Sequence, residues 1–100
     1  SPHEAPYGAA KAGLHSLTQS FSRAYAPKVR VNCIMPGPFL TDISDAWSEA
    51  THVSLKALPL GRGGNPNEIV GAALYFASEA SSFTTGAVLK IDGGLIASPS

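Results

Sequence analysis

The chain has very little cysteine: Cys33 is the only one in 100 residues. An internal disulfide framework is therefore excluded, and a lone thiol fits a reducing compartment, so a cytoplasmic location is expected. Charge is also scarce. Lysine and arginine together number 7, aspartate and glutamate 7, and the formal net charge is zero. No basic patch forms, which argues against nucleic acid as a partner. No apolar run approaches the roughly 18 residues of a membrane span, and no signal-peptide pattern opens the chain, so no membrane partner is expected either. There is no methionine at position 1, and Ser1–Pro6 reads as a loop entered in mid-course. Residues 1–100 are therefore expected to form an incomplete single domain, a piece of a larger one. What the chain does have is an ordinary apolar share, 44%, with no repeat, low-complexity tract or interdomain linker.

That apolar content is arranged in short elements. Residues 7–26 read as a helix: Ala10, Leu14, Leu17, Phe21 and Ala24 recur at spacings of four and three. Ala9, Ala12, Gly13, Ser16 and Ser20 form a second, small-residue face, and Pro27 ends the helix. The segment Val29–Met35 is rich in β-branched residues and stops at a Pro-Gly-Pro triplet, 36–38, which reads as a strand buried on both faces of a parallel sheet. An irregular helical region is expected from about Ser44, through Trp47, Val53 and Leu55. Asn65 reads as a helix cap, Pro66 as the first helical residue and Glu68 as the capping-box acid. That helix carries Ile69, Ala72, Ala73, Phe76 and Ala77 on one side, and Ala87–Ile91 is a last strand before Asp92-Gly93-Gly94. Strands separated by helices predict an α/β fold with parallel pairing. A two-stranded sheet is too small to be stable by itself, so its remaining strands are expected outside these residues.

One spacing carries chemistry. Tyr7 and Lys11 are four apart on a helix, hence on one face and one turn from each other. A phenol with an unperturbed pKa near ~10 is a poor base at neutral pH. A nearby ammonium favours the phenolate and creates an acid/base group able to exchange a proton with an oxygen atom. The spacing alone is weak, because a Tyr and a Lys four apart often form no more than a solvated helix edge.

The wider sequence is more specific. The run from Tyr7 to Ile43 resembles the short-chain dehydrogenase/reductase family, whose Tyr-x-x-x-Lys motif opens a long helix and is matched by Tyr7 and Lys11. The family's strand ending in Pro-Gly is matched by Pro36 and Gly37, with Thr41 a few residues on. Its Gly-Arg-x-Gly-x-Pro-x-Glu-Ile stretch is matched by residues 61–69, and its final strand runs into Asp92, Gly93 and Gly94. Together these matches span nearly the whole chain in order.

The resemblance implies the C-terminal portion of a doubly wound, Rossmann-type dinucleotide-binding fold. It implies an oxidoreductase moving a hydride between NAD or NADP and a carbonyl or secondary alcohol, in a parent that is a homo-oligomer, dimer or tetramer. Tyr7 would be the acid/base for the substrate oxygen. Lys11 would lower the Tyr7 pKa and bond the nicotinamide ribose. Pro36, Gly37, Phe39 and Thr41 would lie along the nicotinamide, with the Phe39 backbone meeting the carboxamide and the Thr41 hydroxyl bonding the carboxamide or a phosphate.

The family's catalytic serine and asparagine and its Gly-rich phosphate loop belong upstream. Ser1 is too close to Tyr7 to be that serine, Asn32 occupies a different, structural position, and the Gly-Arg-Gly-Gly run at 61–64 follows no strand. The 100 residues by themselves are thus expected to be inactive. A sugar-nucleotide epimerase or dehydratase of the wider superfamily, or a non-catalytic nucleotide-binding relative, is the alternative; the compact ending and the intact Tyr/Lys pair favour the oxidoreductase. His3, Glu4 and Trp47 are candidate substrate neighbours with packing or loop roles as the competing reading. His15 and His52 lack metal-ligand spacing. Cys33 is expected to be an inert strand residue, and Arg62 and Asp92 are loop anchors or something more.

Overall fold

The computed structural model describes residues 4–40 and 54–95, residues 4–7 through their backbone alone. The elements run helix α1 (Glu4–Tyr25), strand β1 (Cys33–Pro36), helix α2 (Asn67–Ala77) and strand β2 (Val88–Ile91). The strands pair in parallel in a two-stranded sheet, with Cys33 opposite Val88 and Pro36 opposite Ile91. The parallel α/β architecture expected from the sequence is therefore present. No helix among the described residues is long and apolar enough to cross a membrane.

Several boundaries differ from the sequence reading, each for a local reason. Helix α1 starts at Glu4 rather than Tyr7, so residues 4–6 are not loop. Pro6 is tolerated there because the first-turn amides have no intrahelical acceptor anyway. The helix ends at Tyr25, before the cis Ala26–Pro27 peptide. Strand β1 keeps only the end of the expected Val29–Met35 segment and extends one residue into the Pro-Gly-Pro triplet. Residues 31 and 32 still face the chain before β2, but side-chain groups replace part of the ladder: Val31 O accepts from Gly86 N (2.7 Å), Val31 N–H donates to Thr85 Oγ1 (3.1 Å), and the Asn32 side-chain amide brackets residues 84–87. Its Nδ2 donates to Thr84 O (3.1 Å) and its Oδ1 accepts from Ala87 N (3.0 Å). Nor is the strand buried on both faces; Cys33, Ile34 and Met35 are half-buried and Pro36 is exposed. The expected helical region from Ser44, with Trp47, lies largely outside the described residues; a single helical turn at 54–56 is described and buries Leu55.

Helix α1 packs in an unexpected sense. Its sheet-facing line is polar: Lys11 and His15 are half-buried, while Thr18 and Ser22 are buried. Thr18 and Ser22 satisfy their hydroxyls on the helix itself, at Leu14 O (2.8 Å) and Gln19 O (2.7 Å). Gln19 Nε2 donates to Gly86 O, just before β2. Gly86 has φ +77°, a conformation that favours glycine, and a Cβ there would stand 2.9 Å from Ser22 Oγ. The apolar stripe turns outward, with Leu14 41%, Leu17 52% and Phe21 45% exposed.

Helix α2 begins at Asn67, and neither Asn65 nor Pro66 supplies a side-chain cap to its amides. Glu68 instead reaches back, its Oε1 accepting from Asn65 N (2.9 Å), which is the acid's half of a capping box. The same carboxylate takes a two-pronged bond from Arg62: Nη1 to Oε1 at 2.7 Å and Nη2 to Oε2 at 2.9 Å. Ile69, Ala72 and Phe76 are half-buried as expected, whereas Ala73 and Ala77 are exposed.

The other end of α2 has no basic residue of its own. Arg30 supplies the charge from across the fold. Its Nη1 donates to Ser81 O (2.8 Å) and Ser81 Oγ (2.6 Å), and its Nη2 to Phe76 O (3.2 Å). Ser81 is fully buried beneath it, its hydroxyl also donating to Phe76 O (3.0 Å). A cation at a helix C-terminus meets the negative end of the helix dipole and the carbonyls left over by the last turn.

Two predictions follow from these networks. Arg30→Ala should lower stability by about 2–3 kcal/mol, because the bonds lost are charge-assisted and the Ser81 hydroxyl stays buried. Urea unfolding of the protein carrying this chain measures it, and a change under about 0.5 kcal/mol would contradict the assignment. The Arg62 fork and the Asn65 amide hold the Glu68 carboxyl down to about 2 from 4.5. A depressed carboxyl stabilises the fold above its unfolded value. Because both side chains are open to solvent, the difference in melting temperature between the parent and Glu68→Gln should be small; it should be constant above about pH 4.5 and shrink towards zero as pH falls to about 2. A difference that does not change with pH would exclude the ionic contribution.

Candidate functional site

The candidate site lies where both strands end. In open parallel sheets, ligands bind outside the carboxyl ends of the strands. Helix α1 runs antiparallel to β2: Gln19 and Ser22 meet Gly86 before the strand, and Lys11 reaches Lys90 and Asp92 at its end. The helical register places Tyr7 one turn beyond Lys11 on the same line as His15, Thr18 and Ser22. The backbone thus aligns the Tyr7 and Lys11 positions with the carboxyl edge.

Partial burial holds the Lys11 ammonium below the ordinary lysine pKa. The neighbouring Lys90 ammonium pushes in the same direction, and the Asp92 carboxylate opposes both. Lys11, Lys90 and Asp92 form one electrostatic group at the end of β2. Sequence reading found Lys11 and noted Asp92. Lys90 was missed; its one available signal is a charge inside an otherwise apolar strand.

The segment 36–40 borders the same edge. Gly37 N donates to Ile91 O (2.9 Å), which carries the sheet pairing one bond past Pro36. Beyond it, Phe39 and Gly64 form an isolated parallel bridge. Gly64 N donates to Pro38 O (2.9 Å) and Leu40 N donates to Gly64 O (2.6 Å). In such a bridge the middle residue's own N–H and C=O point the opposite way, so those of Phe39 face away from Gly64. A cavity of about 70 Å³ lies here, lined by Pro38, Phe39, Arg62, Ile91 and Asp92 among others.

Of the expected site residues, Lys11, Pro36, Gly37 and Phe39 are brought to this edge, together with the backbone of Tyr7. Thr41, His3, Trp47 and His52 lie outside the described residues, as does the Glu4 side chain. Asn32 has the structural role expected of it, and His15 is half-buried. Cys33 is a half-buried free thiol. Among the described residues no group of histidine, cysteine, aspartate and glutamate could hold a metal.

The residues present suit the nicotinamide end of a dinucleotide. The outward Phe39 amide and carbonyl, on the side of the segment away from Gly64, match the donor and acceptor of a carboxamide. The Gly-rich turn that would cradle a pyrophosphate is not in the sequence.

Known proteins resemble the chain over almost its full extent. A family model described as enoyl-(acyl carrier protein) reductase matches residues 1–96. A 3-oxoacyl-(acyl-carrier-protein) reductase of Chlamydia trachomatis is 44% identical over 97 residues, covering 95% of this chain and 39% of that protein. A sorbose reductase of Candida albicans is 50% identical over 93 residues, 91% of this chain and 33% of that protein. A solved gluconate 5-dehydrogenase of Burkholderia cenocepacia, in complex with NADP and tartrate, superposes with a TM-score of 0.77 at 38% identity. That match covers 91% of this chain and 37% of the dehydrogenase. A short-chain dehydrogenase/reductase of Brucella melitensis superposes equally well, with a TM-score of 0.77 at 34% identity over 92% of this chain and 38% of that one. The chain spans 39% of the length of the two Chlamydia reductases it matches. With the sequence, the parallel sheet and the carboxyl-edge geometry in agreement, the chain belongs to the short-chain dehydrogenase/reductase family.

Proposed function

We propose that this chain is the C-terminal part of a dinucleotide-binding domain in a longer, cytoplasmic NAD(P)-dependent oxidoreductase. It contributes the acid/base pair and the nicotinamide-facing loop to a reaction between a carbonyl and a secondary alcohol. The observation that carries the reading is the alignment of the Tyr7 and Lys11 positions on the sheet-facing line of α1, at the carboxyl edge of β2. The matched share of the relatives' length and the outward apolar stripe of α1 support a larger domain around these residues. The exposed small-residue face of α1, which includes Ala12, Gly13 and Ser16, suits close packing of a second subunit, so the parent is a homo-oligomer.

A bound nicotinamide would supply the hydride for reduction of a carbonyl carbon or accept one from an alcohol carbon. The protein's task is to move the proton. In reduction the Tyr7 hydroxyl donates its proton to the substrate oxygen; in oxidation the phenolate takes it back. Lys11 places positive charge one turn away, which favours the phenolate, and it bonds the ribose. Lys90 adds positive charge behind it. Phe39 backbone groups would hold the carboxamide and Pro36 and Gly37 would border the nicotinamide, with Thr41 proposed as a further contact from its sequence match alone.

Tyr7→Phe in the full-length protein keeps the ring and removes the exchanging proton. Turnover should fall by about 10²-fold or more, the lower bound for a positioned acid/base, while dinucleotide affinity changes little. Near-parental turnover would sink the assignment. Lys11→Ala should act differently. Without that ammonium the Tyr7 pKa rises, so a pH–rate profile of alcohol oxidation should shift to more alkaline pH, with weaker dinucleotide binding. An unshifted profile would remove the electrostatic role of Lys11. Reading the frame upstream tests the longer parent: it should encode a Gly-rich turn after a first strand and a serine before Tyr7, and an unrelated domain there would count against the proposal.

A further inference from the structure

Resting on that reading, we infer that Arg62 and Glu68 are positioning residues for the nicotinamide end of the dinucleotide: their ion pair fixes the loop 62–65, and Gly64 in that loop holds the Pro38–Leu40 segment. The connection can be followed bond by bond. Glu68 is anchored in the first turn of α2. Its carboxylate grips Arg62 through both oxygens and the Asn65 amide through one. Arg62 Nη1 also donates to Gly63 O (3.1 Å). Both sides of Gly64 are thereby fixed, at Gly63 and at Asn65. Gly64 then donates to Pro38 O and accepts from Leu40 N, which sets the direction of the Phe39 backbone.

Side chains tighten the same joint. A Cβ on Gly64 would stand 2.6 Å from the Phe39 ring, and one on Gly63 would stand 3.1 Å from the Leu40 side chain. The two loops therefore lie against each other with no room between them. Arg62 and Glu68 also line the cavity that Phe39 lines, so the ion pair and the segment it orients share one wall.

The pair's exposure separates this role from general stabilisation. The Arg62 and Glu68 side chains are 51% and 39% exposed. An ion pair this open adds little to global stability, but a two-pronged guanidinium–carboxylate bond still restrains a loop that it brackets. Its loss should loosen residues 38–40 and 62–65 and leave the β1–β2 ladder intact.

The test uses the full-length protein and the variants Arg62→Met, which keeps the aliphatic stem, and Arg62→Lys, which keeps the charge and loses the fork. Amide hydrogen exchange reads Leu40 and Gly64, with Cys33 and Gly37 as controls in the sheet. Fluorescence titration with NADH and with NADPH reads affinity, and steady-state kinetics separate kcat from KM. In Arg62→Met, exchange at Leu40 and Gly64 and the dinucleotide Kd and KM should each rise about threefold to tenfold, with kcat within about twofold of the parent. Arg62→Lys should recover part of each change. Unchanged exchange at Leu40 and Gly64 would overturn the inference. So would equal acceleration at Cys33 and Gly37, or faster loop exchange with unchanged Kd. A parent that binds neither NADH nor NADPH would defeat the functional reading itself, and is distinguished by the titration of the unsubstituted protein before any variant is made.

Discussion

The Arg30 guanidinium is the interaction on which the described fold depends. One side chain, placed just before β1, gathers carbonyls from the end of α2 and the turn that follows it, and covers the fully buried Ser81. It thereby ties together the two strand-bearing halves, 29–36 and 76–91. Within these residues few apolar side chains are buried, because the apolar stripe of α1 turns outward. Leu55 is the one buried hydrophobic residue among the described side chains, while Thr18, Ser22 and Ser81 are buried polar ones. Among the described contacts, polar bonds therefore define how these pieces meet.

Much of this was legible in the sequence, and the failures have identifiable causes. Proline and glycine placed the turns well, and strand–helix alternation gave the parallel pairing. The β-branched run from Val29 exaggerated β1, because local composition cannot register that Val31 and Asn32 spend their hydrogen bonds on residues 84–87. Pro36 looked like a terminator, yet it sits opposite Ile91 at the end of the ladder, where its missing N–H does no damage. In the capping motif at 65–68 the acid is legible and the cap is not: Glu68 accepts from the Asn65 amide as expected, while the Asn65 side chain caps no amide of the helix. Glu68 acts, and it does so because Arg62 and the Asn65 amide converge on it.

The candidate site divides in the same way. The Tyr7–Lys11 spacing is a one-turn relation and is visible in any helical reading. The surroundings of Lys11 are not, since Lys90 and Asp92 come to it from the other end of the chain. The apolar stripe of α1 was legible as a stripe, but its direction was not. Periodicity reports that a helix has two faces; only tertiary packing shows that the polar one meets the sheet.

Asn32 gives the sheet a ruler. From one residue before β1, its amide grips Thr84 O with one end and, with the other, the N–H of Ala87, one residue before β2. Parallel ladders can slip, and a slip of one residue moves a strand by about 3.3 Å and sends every side chain to the opposite face. Here the zero of the scale is fixed at the amino ends. Asp92 and Gly37 are delivered to the carboxyl edge simply by counting residues from that mark, so the accuracy of the reactive edge is decided at the far end of the sheet.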